Sequence, residues 1–321
     1  MSPKYFWVER LMAFRPRLWI SPHGALLPLG LALLLLTAMF TPGFLSAPNL
    51  LSLVNTASVI GCVAVAMMLI TISGNVLSFA LGVTTGCSAM MFAWLTGYES
   101  GLLATVGALV FSTVVTGFQG LLIGLFRANP IIVSIAALGL MTGAAELISQ
   151  GSMIYASGSQ LQGLNDTFWS VPASGWVLLA LVLLADFILR FTRFGRNIVM
   201  LGSNMTAAKA AGISLWRTTV GVYALAGLFS GIAGILLAAR YNAGSLEYGI
   251  GYDYSAIAAV LVGGTFIGGG EGTALRTLAG LVVITGAGAI LLLHGVSTEY
   301  QFLFTGLVLL VAVLVQGRWR S

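Results

Sequence analysis

Ten apolar stretches follow one another along the 321-residue chain, and each is long enough, or nearly so, to cross the hydrocarbon of a bilayer. They lie at 25–41, 54–72, 77–96, 102–125, 130–149, 174–191, 217–239, 254–268, 275–293 and 299–316. A crossing helix takes about 20 residues, and in lipid each backbone polar group must find a partner inside the protein. Soluble domains carry about a quarter charged residues; this chain carries 7%, against 58% hydrophobic. The expectation is an all-α, polytopic membrane protein of about ten transmembrane helices. It has one transmembrane domain over 23–321 after an N-terminal segment 1–22, and no room for a separate catalytic domain.

The few charges fix an orientation. Five of the 14 Lys and Arg fall between Arg190 and Arg217, the only sizeable hydrophilic island in the apolar body. With the N-terminus in the cytoplasm, ten spans place Lys4, Arg10, Arg15, Arg17, Arg127, Arg190, Arg193, Arg196, Lys209, Arg217, Arg276, Arg318 and Arg320 inside, and only Arg240 outside. One span more or fewer destroys this sorting, so the positive-inside bias predicts an even count and two cytoplasmic termini. The net charge of +5 is therefore read as topology and not as a nucleic-acid surface. The basic start followed by an apolar run resembles a signal peptide, but Leu45 before Ala47 lacks the small side chain of a cleavage site, which predicts a retained first helix.

Two spans are interrupted. The stretch 77–96 begins after Gly74 and carries Gly82 and Gly86, and 254–268 runs into Gly263, Gly264, Gly268, Gly269 and Gly270. If spans two to five and seven to ten form two halves of opposite orientation, these segments occupy corresponding places. Inverted repeats of that kind put a pathway at the interface of the halves.

No catalytic constellation is present. There is no G-x-x-x-x-G-K-[ST], so any ATP is hydrolysed on another chain; His23 and His294 stand alone; no G-x-S-x-G occurs. No metal site and no cofactor are expected, and Cys62 and Cys87 read as packing residues inside apolar segments. Ion-coupled carriers keep charges in mid-membrane, whereas here Glu146 and Asp186 sit towards span ends, Asp186 four residues before Arg190 as an i,i+4 pair. The run Val262–Thr273, VGGTFIGGGEGT, follows membrane helix and not a Rossmann strand, and reads as a tight cytoplasmic turn edged by Glu271 and Arg276.

Two stretches, FGRNIVMLGSNMTAAKAAGI at Phe194–Ile213 and GYDYSAIAAVLVGGTFIGGGEGT at Gly251–Thr273, resemble the permease subunits of bacterial ABC importers of the ribose, xylose and galactose type. Weaker similarity runs through Pro130–Ile135, and the resemblance covers most of the chain from about residue 50 onwards. It implies a multi-pass inner-membrane protein that pairs with a second permease, as homodimer or heterodimer. It also implies two cytoplasmic ATP-binding subunits and a soluble binding protein on the outer side. The loop 192–216 would then couple to the ATPase: Gly202, Ser203 and Asn204 fit the start of a short helix, Ser203 or Asn204 can cap it, and Ala207 and Ala208 lie within it before Gly212 stops it. One departure stands out. Where the family usually reads G-G-I-D-L-S, this chain has Ser73, Gly74, Asn75, Val76, Leu77, Ser78, with Val76 in the place of the acid. Either the solute differs or the acid is supplied elsewhere, and a chain lacking it could be one half of a heterodimer.

The expected function is translocation of a sugar or similar small polyol, with Asn75, Ser78, Ser134, Thr142, Glu146 and Thr265 as candidate pathway residues. The alternatives are a permease for another solute, such as a nucleoside or branched-chain amino acid, and a stand-alone secondary carrier.

Overall fold

The computed structural model describes residues 26–156, 167–168 and 171–318; the N-terminal segment 1–22 lies outside them. The described residues form twelve α-helices: α1 (Leu26–Phe40), α2 (Ala47–Ile72), α3 (Leu81–Leu95), α4 (Gly101–Phe126), α5 (Pro130–Ser149), α6 (Ala173–Phe191), α7 (Arg193–Ser203), α8 (Met205–Ala210), α9 (Leu215–Tyr241), α10 (Tyr252–Val262), α11 (Ala274–Leu293) and α12 (Thr298–Arg318). Seven of them, α2, α4, α5, α6, α9, α11 and α12, are long and apolar enough to cross a membrane. The fold is all-α and polytopic.

Each of the ten apolar stretches holds a helix, with informative differences at the ends. Helix α2 starts at Ala47, well before 54, because Pro48 sits in its first turn, where a missing N–H costs nothing. Helix α3 starts only at Leu81, after a non-helical segment 73–80, and α10 stops at Val262. At 1.5 Å per residue, the 15 residues of α3 and 11 of α10 rise roughly 22 Å and 16 Å, short of a bilayer's hydrocarbon. The interrupted character read from their glycines is present in both.

Helix α2 is buried from Ala57 to Ile72 without a break, and α9 is nearly as enclosed. Both are apolar all round, the pattern of a central helix. Helix α4 lays a stripe of small residues, Ala104, Ala108, Ser112, Thr116 and Gly120, against α9, where Gly227 and Gly231 lie opposite Ser112 and Thr116. Small residues four apart let two backbones approach in lipid. By contrast α1, α5 and α12 expose Leu, Ile and Phe outward, as lipid-facing helices do. Short strands β1 (Ile154–Tyr155) and β4 (Ala243–Gly244) pair antiparallel and tie the chain after α5 to the chain after α9, and β2 (Thr167–Phe168) pairs with β3 (Val171–Pro172). Asp186 and Arg190 form the expected i,i+4 ion pair at the end of α6, 2.7 Å apart.

Candidate functional site

The first site begins where α2 ends. Ser73 and Gly74 close α2 through backbone bonds to Leu69 and Thr71, and the chain then runs without helix to Ala80. In this segment Val76 has φ 55°, a left-handed conformation that β-branched residues rarely take. Ala80, at the start of α3, makes no side-chain cap. The cap comes instead from α10: Asp253, buried, accepts a hydrogen bond from the Gly82 N–H at 2.7 Å. A carboxylate there meets both the orphan amides and the positive end of the helix dipole. The chain leading into α10 runs alongside α3 in the opposite sense, Gly244 against Ala89 and Met90, Leu246 against Gly86, and Gly249 against Gly82.

Between α3, α5 and this segment lies a cavity of about 600 Å3. Phe79, Val83, Ile135, Leu138, Leu246 and Ile250 supply its apolar walls, and Thr142, Glu146, Glu247, Asp253 and the phenol of Tyr254 its polar groups. Thr142 and Glu146 stand one turn apart on α5, so two of the six pathway candidates meet here. The other four lie elsewhere. Asn75 is buried with its amide donating to Ser73 Oγ at 2.7 Å; Ser78 is buried against the N–H of Ala80; Ser134 donates to the Ile131 carbonyl of its own helix at 2.9 Å. Thr265 is buried in the turn after α10, its carbonyl accepting from Gln316 Nε2 at 3.1 Å. Gln316 holds that turn twice, since its Oε1 also accepts from the Ile267 N–H at 3.1 Å. Neither Asp253 nor Gln316 was singled out from the sequence: each is one polar residue at the end of an apolar stretch, and its partner is far away in the chain.

The second site is the island between α6 and α9. It holds two helices where one was expected. Thr192 caps α7 by accepting from the Gly195 N–H at 3.0 Å, and α7 turns Gly195, Ile198 and Leu201 inward while Arg193 and Arg196 face out. Gly202 and Ser203 therefore form the last turn of α7 and do not start a helix. Asn204, in extended backbone, caps α8 by accepting from the Ala207 N–H at 3.0 Å, while Ser203 donates to the Val199 carbonyl of α7. Helix α8 is exposed except for Ala208, and Gly212, at φ 76°, ends it with backbone bonds from Gly212 and Ile213 back to Lys209 and Ala208.

Helix α7 is pressed onto the two interrupted segments. A Cβ on Gly202 would lie 1.9 Å from the Ile72 carbonyl oxygen and 2.6 Å from the Gly270 nitrogen, so only glycine fits there. Gly270 N–H donates to that same Ile72 oxygen at 2.8 Å. Within the glycine-rich run, Phe266 N–H bonds Glu271 and Gly269 N–H bonds Phe266, which makes it the tight turn expected. The end of α2, the turn after α10 and the end of α7 thus meet backbone to backbone.

Comparison with known proteins gives a consistent picture. The profile of the family described as "Branched-chain amino acid transport system / permease component" matches residues 49–313. The ribose import permease protein RbsC of Escherichia coli (strain K12) is 29% identical over 306 residues, covering 94% of this chain and 95% of the relative. The L-arabinose transport system permease protein AraH of the same strain is 30% identical over 302 residues, covering 93% and 90%. The probable ABC transporter permease protein YphD, also of that strain, is 32% identical over 286 residues, covering 88% and 85%. No solved structure matches the chain.

Proposed function

The chain belongs to the permease-component family so described, the non-catalytic membrane subunits of ABC importers, and on that premise we propose that it carries a sugar or similar small polyol across a bacterial inner membrane. Its partners on this reading are a cytoplasmic ATP-binding subunit, an external solute-binding protein and a second permease, identical or not.

The observation that carries the choice of solute is the lining of the cavity. Among the described residues its polar side chains are two hydroxyls, of Thr142 and Tyr254, and three carboxylates, and none is Lys, Arg or His. Such a surface offers acceptors to the many hydroxyl donors of a sugar. An amino acid needs a partner for its carboxylate as well, commonly a basic side chain or a free helix N-terminus. Two helix N-termini border the cavity: that of α3 is taken by Asp253, and that of α10, which no side chain caps, carries the same acidic residue in its first turn. The apolar walls suit transient passage.

The topology follows from the same reading. Ten crossings leave segment 1–22, the loop 192–216 and the C-terminus in the cytoplasm, and residues 23–321 form one permease domain. Helices α2 to α5 and α9 to α12 are two halves of opposite orientation, in which α3 and α10 correspond as half-length helices beside glycine-marked breaks. Thr142 and Glu146 line the solute path; Asn75, Ser78 and Thr265 brace the segments at the breaks, and Ser134 bonds within its own helix. The exposed face of α8 with Ala207, and the α7–α8 joint at Ser203 and Asn204, receive the ATPase; Gly202 seats α7 on the breaks, Ala208 seats α8 and Gly212 ends it. Purification of the tagged chain from native membranes in mild detergent, followed by mass spectrometry, tests the assembly. A P-loop ATPase in the complex supports the reading, and a chain that comes alone under conditions that keep other importers intact counts against it.

A further inference from the structure

Gly82 and Asp253 are 171 positions apart, yet one hydrogen bond of 2.7 Å joins the first turn of α3 to the first turn of α10. Ala80 leaves α3 without a cap of its own, and the first amides of a helix that starts inside the protein have no water to turn to. The other ionisable carboxyl groups lining the same cavity are Glu146 and Glu247, and among the described residues no cation lines it. The partner that this buried carboxyl group does have is the amide end of α3. The bond also fixes two walls of the cavity: Phe79 and Val83 flank Gly82, and Tyr254 follows Asp253.

We infer that Asp253 is a positioning residue that holds the half-length helix α3 against α10 and thereby sets the shape of the cavity. Its consequence for transport rests on the importer reading above; its consequence for α3 does not. Asparagine keeps an oxygen that accepts from the Gly82 N–H, so Asp253→Asn retains the bond and Asp253→Ala loses it.

The chain has two cysteines, and both serve as reporters. Cys87 lies on α3, and Cys62, on α2, is fully buried. The test uses the full chain with its ATPase in lipid nanodiscs, N-ethylmaleimide as the probe and mass spectrometry to count modified cysteines. In Asp253→Ala, Cys87 modification is expected to rise about fivefold to tenfold, the equilibrium change that loss of one cap brings, with Cys62 unchanged. The maximal ATPase rate with loaded binding protein falls by a similar factor, at an unchanged half-saturating concentration of that protein. Asp253→Asn restores both. Wild-type protection of Cys87 in the alanine variant, or an asparagine variant as impaired as alanine, overturns the inference. Should the alanine variant not assemble, the asparagine variant decides: protected Cys87 supports the role and exposed Cys87 refutes it. A wild-type chain whose ATPase ignores the loaded binding protein fails the importer reading alone, because the labelling needs no turnover.

Discussion

Replacing Gly202 by alanine puts one methyl group at the place where three backbones meet. Ordinary contact for that carbon begins at 3.4 Å, and its nearest neighbour, the Ile72 carbonyl oxygen, would be 1.9 Å away, so α7 must withdraw by 3.4 − 1.9 = 1.5 Å. The second neighbour, the Gly270 nitrogen, is also backbone, and it is hydrogen-bonded to the same oxygen, so neither can swing aside like a side chain. Overpacking a tight contact costs about 1–3 kcal/mol, and unpairing a buried backbone bond costs about 1–3 kcal/mol more. Together they shift the docking of α7 by about 2–6 kcal/mol, a factor of about thirty at the least. Spans far from the junction are untouched, so membrane insertion and total protein stay normal. Solute-stimulated ATP hydrolysis by the reconstituted importer should fall to the basal rate. Gly212→Ala is the control: at φ 76° it strains a left-handed residue by about 1–2 kcal/mol, but nothing lies within 4 Å of the new methyl, and stimulation should largely survive. Wild-type stimulation in Gly202→Ala would show that α7 does not transmit movement through this junction.

Other perturbations separate the remaining parts. Asn204→Ala removes the cap of α8 and about 1 kcal/mol of helix stability; co-purified ATPase should drop while the spans stay folded, and unchanged recovery would mean that α8 is not the docking element. Gln316→Leu unpairs the Ile267 N–H and the Thr265 carbonyl, costing about 2 kcal/mol, and should lower the midpoint of thermal unfolding in detergent by a few degrees; an unaltered midpoint refutes the clamp. Val76→Asn relieves a β-branched residue from φ 55° and should raise that midpoint, since Asn tolerates the left-handed region at about 1 kcal/mol less strain; a lower midpoint would show that the packing of Val76 outweighs its backbone. Full uptake by complexes containing this permease alone would reject a heterodimer built around the missing acid at Val76.

Span positions were legible because hydropathy needs no tertiary information, and the glycines of 74–86 and 263–270 marked both breaks. Helix α7 was not legible: Arg193, Arg196 and Asn197 look like connector, and the buried face of Gly195, Ile198 and Leu201 is too short to stand out. Asn204 and Ser203 were equal candidates for the cap until the backbone put Ser203 inside α7. Of the pathway candidates, Thr142 and Glu146 share a helical face that periodicity could suggest, whereas Ser134 meets its bonding need inside its own turn, as polar residues in membrane helices commonly do. Asp253 escaped notice because capping a helix 171 positions away leaves no local pattern.

The most direct test of the central claim is uptake of labelled pentoses and hexoses into proteoliposomes containing this chain, its ATPase and its binding protein, with ATP inside or outside or with an ion gradient alone. The account predicts that a neutral sugar is translocated only when the ATPase is supplied with ATP, and that omitting any one of the three proteins abolishes it. Uptake driven by an ion gradient through this chain alone would contradict it.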